Sequence, residues 1–297
     1  IERVQNGGVL PMITSCSPGW VKYCETYHPD FIPNLSTCKS PHMMLGPIIK
    51  SYYAAQKNIP LEKLRVVSVM PCTAKKFEMN RPEMKANGVN DVDAVITTRE
   101  LARMIKSVGI DFANLPNEPF DPVLGESSGA AVIFGATGGV MEAALRTAYE
   151  TLTGKTLDKV EFCDVRGIKG IKEATVEIGD LKFKVAVANG TANAGKLLDE
   201  IRAGKRSYHF IEIMGCPGGC VTGGGQPIVP AQTRMDIDPR VVRAQALYNA
   251  DAGMAVRKSH ENPSIKKLYQ EFLTKPGSHE AHRLLHTHYT ERPIYSK

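Results

Sequence analysis

The sequence predicts an α/β protein with two lobes, each built on twisted, largely parallel β-sheets flanked by helices. Short apolar runs typical of buried strands alternate with segments of helical periodicity, which is the pattern of parallel sheets joined by helical crossovers. The length of 297 residues also allows a substantial hydrophobic core. We expect the first lobe to span residues 1–124 and the second lobe, with the C-terminal helices, residues 125–297.

Composition and charge exclude several classes of function. Lys and Arg number 37 against 31 Asp and Glu, but the basic residues are scattered and not interleaved with aromatic residues, so no nucleic-acid groove is predicted. We expect a solvated surface, with docking of an acidic redox partner as the alternative. No apolar run reaches the ~18–20 residues of a membrane span and no signal peptide opens the chain, so a cytoplasmic protein without a membrane segment is expected. The opening IERVQNGG resembles the interior of a domain, and we expect the chain to be part of a longer polypeptide.

Apolar patterns place the expected elements along the chain. In the first half the predicted strands are residues 9–13, 64–70 and 93–98, and the predicted helices are residues 21–27, 40–55 and 99–108. Thr98 is expected to cap the last of these helices. After a polar connection at 114–122, we predict a glycine-rich segment at 125–146 that is followed by a helix to about residue 152. Strands are predicted at 183–188 and 209–214, with a helix at 195–203 between them. From residue 238 to about 288 the structure is predicted to be mostly helical. The glycine spacing at 125–146 does not match a dinucleotide loop and indicates close backbone packing around an embedded group.

Seven cysteines, in a chain too large to need disulfide staples, indicate reducing conditions and thiolates used as ligands or catalysts. Four of them follow predicted strands: Cys16, Cys72, Cys216 and Cys220. Because ligands bind beyond the carboxyl ends of parallel strands, we expect these thiols to converge. Soft thiolates suit zinc or iron–sulfur, and ligands spread over about two hundred residues favour a cluster buried in a large domain over a structural zinc site. The remaining cysteines are predicted to be plain core residues: Cys24, Cys38 and Cys163.

The segment Met214–Pro227 places Cys216 and Cys220 four residues apart among six glycines. If the chain turns helical after Pro217, two thiols at i and i+4 lie on one face and can hold one metal centre. Glycines without a Cβ let the backbone approach a bulky inorganic group and leave N–H groups free to point at anionic ligands. The alternative interpretation is a glycine-rich loop with two buried, unreactive cysteines.

Taken together, these segments resemble the catalytic domain of the [FeFe]-hydrogenases over almost the entire chain. The resemblance rests on three signatures: Thr14–Trp20 (TSCSPGW), Met70–Glu78 (MPCTAKKFE) and Glu212–Pro227 (EIMGCPGGCVTGGGQP). The segments Gly135–Arg146 and Ser259–Pro263 are also similar to that family. The resemblance implies a [4Fe–4S] cubane linked through one cysteine to a di-iron unit with CO, cyanide and an azadithiolate bridge. The two parts together are called the H-cluster, which we expect to lie between the lobes.

The resemblance also implies roles for individual residues. Cys72 and Cys216 look like terminal cubane ligands and Cys220 like the bridging thiolate. Lys75 matches the residue that binds a cyanide, since an ammonium donor forms a charge-assisted hydrogen bond with that anion. The apolar wall of the di-iron pocket corresponds to Met70, Met214 and Phe134. Ser36 matches a later proton relay. The residues that match further cofactor contacts are Pro71, Glu78 and Gly135.

Departures from the family pattern fall in the first signature and near the pocket. The family usually has adjacent cysteines, of which the first relays protons and the second ligates the cubane, whereas this chain has Cys16 and Ser17. Cys16 thus looks like the proton donor and acceptor, and the fourth cubane ligand is either Ser17 or a shifted Cys16. His42 stands where a glutamine is common. The segment that carries an upstream glutamate of the proton path has no counterpart in this chain.

Two functional hypotheses remain open at this point. The first is an [FeFe]-hydrogenase that reversibly reduces protons to H2, with electrons from ferredoxin or an attached or partner iron–sulfur or flavin module. The second is a non-catalytic iron–sulfur scaffold or H2-sensing relative. Cys16, Lys75, Met70 and Met214 favour the enzyme, because a scaffold that holds only a cubane needs neither a cyanide-binding lysine nor a proton-relay thiol.

Overall fold

The computed structural model describes residues 1–118, 121, 124–125, 127–179 and 181–295. Part of the predicted connection at 114–122, and Glu126 of the glycine-rich segment, lie outside the described residues. The fold is α/β with largely parallel sheets, as predicted. Within the described ranges the strands are β1 Met12–Thr14, β2 Val67–Met70, β3 Ala94–Thr97, β4 Ile171–Ile178, β5 Leu181–Asn189 and β6 Phe210–Met214.

The larger sheet has four strands in the order β1-β6-β5-β4. β1 and β5 both run parallel to β6, with Ile13 and Ala186 each paired with Ile211. β4 is antiparallel to β5 and was not predicted. Its residues alternate between buried and water-facing positions and include several charges, so its apolar pattern is weaker than that of the central strands. β1 joins this sheet although it lies in the predicted first lobe; the division at 124/125 stays a prediction.

The smaller sheet pairs β2 and β3 in parallel. Thr97, the last residue of β3, caps the following helix: its hydroxyl accepts from the Glu100 amide at 3.2 Å, and the Glu100 carboxylate accepts from the Thr97 amide at 2.7 Å. The prediction that Thr98 is the cap is therefore wrong by one residue. Thr97 still has extended backbone, which an N-cap requires, whereas Thr98 is the first helical residue.

Helices cover both faces of the larger sheet. On one face, α2 (Pro18–Tyr27) and α9 (Thr191–Arg202) pack on β5 and β6 through a cluster that includes Trp20, Leu197 and Ile211, all fully buried. On the other face, α8 (Gly139–Thr153) packs Met141 against Val187. The α-helices are α1 Glu2–Gln5, α2 Pro18–Tyr27, α3 Pro41–Ile48, α4 Ala54–Gln56, α5 Lys75–Glu78, α6 Thr98–Ser107, α7 Gly129–Val132, α8 Gly139–Thr153, α9 Thr191–Arg202, α10 Ala231–Asp236, α11 Pro239–Ala252, α12 Pro263–Leu268 and α13 His279–Leu285. Throughout the part of the chain that the structure describes, no helix is long and apolar enough to cross a membrane.

The three cysteines outside the candidate site differ in burial. Cys24 is fully buried in the cluster around Trp20, as predicted. Cys38 and Cys163 are exposed, so the prediction that they are core residues is wrong. Cys38 lies at an isolated β-bridge to His286 and Cys163 begins a short 3-10 turn, and neither position offers a face turned to the interior.

Candidate metal centre

The candidate centre lies beyond the carboxyl ends of three strands. β1 and β6 are parallel and in register at Thr14 and Glu212, so Cys16 and Cys216 leave the same edge of the sheet two and four residues further on. β2 ends at Met70 and delivers Cys72 from the smaller sheet. The two sheets meet here because the Gly225 amide donates to the Pro71 carbonyl at 2.9 Å.

The segment between Cys216 and Cys220 is a turn rather than a helix. Gly218 and Gly219 have φ of 86° and 99°, in the left-handed region that other residues rarely adopt, and a 3-10 turn begins only at Cys220. The helix on which an i, i+4 arrangement of Cys216 and Cys220 would depend is therefore not formed, because two successive left-handed glycines interrupt helical geometry. The turn places the Gly219 amide on the Cys216 carbonyl at 3.0 Å.

The sequence-predicted thiols interact with one another. The proximity of the Cys16 and Cys220 side chains lowers the pKa of Cys16 and raises that of Cys220. Burial, together with the neighbouring Cys72 and Cys16, raises the pKa of the Cys216 thiol. Cys16 and Cys72 therefore lie close enough to act electrostatically on both Cys216 and Cys220.

Glycines let neighbouring backbone segments approach the cysteine loop closely. A Cβ on Gly219 would lie 2.6 Å from the Thr137 nitrogen and 2.8 Å from the Gly135 oxygen, and one on Gly223 would lie 2.1 Å from the Pro71 oxygen. No side chain fits at either position. These glycines allow close packing of the predicted cofactor-binding residues Gly135 and Pro71 against the loop.

Ser17 is the N-cap of α2, with its hydroxyl accepting from the Trp20 amide at 3.5 Å. The same hydroxyl faces Gly215, where an added Cβ would lie 2.3 Å from Ser17 Oγ. The Ser17 amide donates to Ser15 Oγ at 3.1 Å, and Ser15 Oγ in turn donates to the Ile213 carbonyl at 2.6 Å. The first signature is thus tied to the end of β6, next to Cys216.

A buried ionic network borders the thiols on the side of the smaller sheet. Lys75, only 5% exposed, donates to the Cys16 carbonyl and to Glu78 Oε2, both at 2.7 Å. The same carboxylate oxygen accepts from Ser40 Oγ at 3.0 Å and contacts His42 Nε2 at 2.7 Å. An ammonium group has three N–H donors, and two of those of Lys75 have partners among the described residues, which leaves one for a ligand.

The network fixes the tautomer of His42. Its Nε2 must carry a proton to donate to the Glu78 carboxylate, so its Nδ1 accepts from Ser68 Oγ at 3.0 Å. Burial lowers the pKa of His42 and Lys75 lowers it further, against the opposing effect of Glu78. Burial would raise the pKa of Glu78, but Lys75 and His42 outweigh burial and lower it.

The predicted apolar wall and the predicted relay residue occupy different surroundings. Met214 is 1% exposed at the end of β6, whereas Met70 and Phe134 are half-buried. Ser36 is joined to β1 through its main chain, since its amide donates to the Ile13 carbonyl at 2.7 Å. Its hydroxyl accepts from the Cys38 amide at 3.4 Å.

Several residues that hold the cysteine loop were not predicted. Glu212 is fully buried and accepts from the amides of Gly138 and Met141, at 2.6 and 2.7 Å; burial raises its pKa. Asn189 Oδ1 accepts from the Gly218 amide at 3.0 Å. A single carboxylate inside the apolar run of β6 was a detectable signal for Glu212, whereas nothing local identifies Asn189.

The donor set suits an iron–sulfur centre. Soft thiols converge from three chain segments at a place where glycines leave no room for side chains, and a buried ammonium lies beside them. Thiolates of this number are the usual ligands of [4Fe–4S] clusters. The residues therefore fit the group that the signatures imply.

Comparison with known families defines the class of protein. The family model for the C-terminal domain of the iron-only hydrogenase large subunit matches residues 1–224, and that for the iron hydrogenase small subunit matches residues 237–292. The chain belongs to the iron-only hydrogenase family.

Individual relatives are similar over nearly the whole chain. The NADP-reducing hydrogenase subunit HndD of Solidesulfovibrio fructosivorans is 56% identical over 95% of this chain and 48% of its own length. Iron hydrogenase 1 of Clostridium pasteurianum is 49% identical over 97% of this chain and 50% of its own length. The chain thus spans about half the length of these two relatives.

A solved structure and a more distant relative extend the comparison. A variant of the [FeFe]-hydrogenase HydA1 from Chlamydomonas reinhardtii superposes with a TM-score of 0.83 at 42% identity, covering 99% of this chain and 79% of the other. The cytosolic iron-sulfur assembly component 3 of Mus musculus is 32% identical over 98% of this chain and 62% of its own length.

Proposed function

We propose that this chain is the catalytic domain of an [FeFe]-hydrogenase that interconverts protons, electrons and H2. The observation that carries the proposal is the buried ammonium of Lys75 beside the converging thiols. A site that only stored a cubane would have no use for a cation with a free donor next to its thiolates. Membership in the iron-only hydrogenase family supports the same conclusion.

The proposed ligands follow from the three signatures. Cys72 and Cys216 would be terminal ligands of a [4Fe–4S] cubane, and Cys220 would bridge it to a di-iron unit carrying CO, cyanide and an azadithiolate. When bound, that unit supplies the redox-active metal at which H2 is made or split. The fourth cubane ligand would be the hydroxyl of Ser17 or the thiol of Cys16.

The surrounding side chains would orient the group and handle protons. Two Lys75 donors are held by the Cys16 carbonyl and Glu78, and the third would donate to a cyanide ligand of the di-iron unit. The Cys16 thiol would accept and return the proton, with Ser36 further along the route. Met70, Met214 and Phe134 would exclude water from the di-iron unit without adding hard oxygen ligands, and Pro71, Glu78 and Gly135 would complete the cofactor contacts.

We infer that electrons come from ferredoxin or from an iron–sulfur or flavin subunit. The name of the NADP-reducing relative and the small-subunit match at residues 237–292 support an electron-transfer partner. A cytoplasmic location is proposed on the expectation of reducing conditions for seven cysteines.

The second candidate is an iron–sulfur scaffold or H2 sensor. The relative named as a cytosolic iron-sulfur assembly component favours it, because that protein shares the fold over nearly the whole of this chain. Infrared spectra separate the two candidates, since CO and cyanide bands require the di-iron unit and a cubane alone has none.

The test compares Cys220→Ala with Cys163→Ala in the matured protein. Cys163 is exposed and belongs to none of the three signatures, so its substitution controls for loss of a thiol. We expect Cys220→Ala to lose the CO and cyanide bands and H2 production from reduced viologen, while Cys163→Ala retains both. Wild-type protein with cubane iron but no such bands would support the scaffold, and intact bands in Cys220→Ala would refute the ligand assignment.

A further inference from the structure

The loop that follows Cys220 is held by an arginine from the small-subunit region. Arg243 lies on α11, within the small-subunit match, and donates from Nη1 to the Val221 carbonyl at 2.9 Å and from Nη2 to the Pro227 carbonyl at 3.0 Å. Those carbonyls are at the two ends of the glycine-rich segment 221–227. One planar guanidinium therefore closes the loop, in a geometry that a lysine does not reproduce.

The closed loop lies directly on the segment that carries Cys72. The Gly225 amide donates to the Pro71 carbonyl at 2.9 Å, and a Cβ on Gly225 would lie 2.9 Å from the Met70 oxygen. Because backbone touches backbone here, a shift of the loop moves the peptide that precedes Cys72.

Contacts on either side explain why the guanidinium is needed. Arg99, at the start of α6, donates from its amide to the Gly225 carbonyl at 3.2 Å and from Nη2 to the Gly224 carbonyl at 2.7 Å. Arg99 therefore holds the middle of the loop on the side of the smaller sheet, and Arg243 holds its ends on the side of α11. Three consecutive glycines provide no side chains to make these contacts themselves.

We propose that Arg243 is a positioning residue for the metal centre: through the Val221–Pro227 loop it fixes the separation of Cys72 from Cys220. The small-subunit region thereby sets the geometry of ligands that belong to the large-subunit region. This inference rests on the proposed function only in taking Cys72 and Cys220 as ligands.

The experiment uses Arg243→Met, Arg243→Lys and, as a matched control, Arg234→Met in the iron-loaded protein. Arg234 is exposed on α10 and makes no hydrogen bond to the loop among the described residues, so its variant removes the same charge without the contact. Amide exchange is followed at Gly225, together with the rate of iron release to a chelator and the midpoint potential of the cubane.

We expect Arg243→Met to speed Gly225 exchange and iron release roughly ten- to hundredfold, as for loss of hydrogen bonds from a charged donor. The rates of Gly225 exchange and iron release in Arg243→Lys should fall between those of Arg243→Met and wild type. The midpoint potential of the cubane should shift in both Arg243 variants but not in Arg234→Met. Equal changes in Arg243→Met and Arg234→Met, or an unchanged potential and exchange rate in both Arg243 variants, would overturn the inference. Wild-type protein without a cubane would instead refute the proposed function, and Gly225 exchange would still decide whether Arg243 holds the loop.

Discussion

At the scale of single residues, Ser17 has a structural role in addition to the ligand role that its position implies. Its hydroxyl caps α2 at 3.5 Å, at the long limit of a hydrogen bond, and faces the backbone next to Cys216. A hydroxyl is a harder and far less acidic donor to iron than a thiol. Serine at position 17 therefore suits the N-cap of α2, whereas cysteine would be the better ligand for iron.

Substituting Ser17→Cys should have opposite effects on the metal-free and metal-loaded protein. The metal-free protein should lose ~0.5 kcal/mol of unfolding free energy, because cysteine is a poorer N-cap than serine. The loaded protein should hold more iron and release it more slowly to a chelator, because a fourth thiolate is available and Cys16 is free for proton transfer. Denaturant unfolding and iron analysis measure the two effects.

The control for Ser17 is Ser17→Ala, which loses the cap without gaining a ligand. It should match Ser17→Cys in the metal-free protein and retain less iron than Ser17→Cys. If all three proteins retain iron equally, residue 17 is not the fourth ligand of the cubane.

His42 shows how a departure from the family pattern is accommodated. Its ring bridges Ser68 and Glu78, at 3.0 and 2.7 Å, and so helps to hold the carboxylate that pairs with Lys75. A glutamine side chain also has one donor and one acceptor end, which explains why either residue type can satisfy both neighbours.

At the scale of elements, the capping box of α6 connects a helix terminus to the candidate site. Thr97 caps the helix and its Cβ lies 2.9 Å from the position of a Cβ on Gly225. Arg99, two residues after Thr97, holds the same loop. Proper initiation of α6 therefore positions the Arg99 contact.

Thr97→Ala should cost about 1 kcal/mol of unfolding free energy through loss of the cap. Thr97→Ser, which keeps the hydroxyl, should recover most of that loss, and Thr98→Ala should have little effect because Thr98 makes no cap contact. Urea unfolding of the three variants measures the differences. A larger cost for Thr98→Ala than for Thr97→Ala would show that the helix begins one residue later.

At the scale of the whole molecule, buried ion pairs connect the large-subunit and small-subunit regions. Arg146 on α8 and Asp251 on α11 are both fully buried and paired at 2.8 Å, and Arg257 pairs with the same carboxylate at 2.7 Å. Burial alone would raise the pKa of Asp251, but the two arginines outweigh it and lower the pKa to about 2.

Asp251→Asn should destabilise the protein by about 3 kcal/mol, because it removes the buried carboxylate shared by Arg146 and Arg257 and leaves Glu142 to balance Arg146. The pKa of Asp251 is lowered by folding, so the stability it contributes is present above about pH 4 and is lost as the pH falls toward 2. Unfolding measured across that range should therefore depend less on pH in Asp251→Asn than in wild type.

Asp236→Asn provides the comparison, because Asp236 is exposed on α10. It should leave both the stability and its pH dependence close to wild type. Equal pH profiles for Asp251→Asn and wild type would show that another carboxylate controls acid unfolding.

The fold class, the family and the segments that carry the cysteines follow from local patterns in the amino-acid sequence. Strand and helix periodicities and the strand-end positions of Cys16, Cys72 and Cys216 are local properties, so they can be read from neighbouring residues. Strand β4 was missed because an edge strand has a weak apolar pattern, and the conformation after Pro217 stayed open because it depends on two left-handed glycines.

The residues that hold the site in place follow from long-range packing. Arg243, Asn189 and His42 act on partners that are distant in sequence, and no local pattern distinguishes them from surface or core residues. The contacts of Arg243 and Asn189 arise because backbone donors and acceptors of a glycine-rich loop must find partners once the loop is buried. Packing of the chain, and not the chemistry of any one segment, selects the residues that supply them.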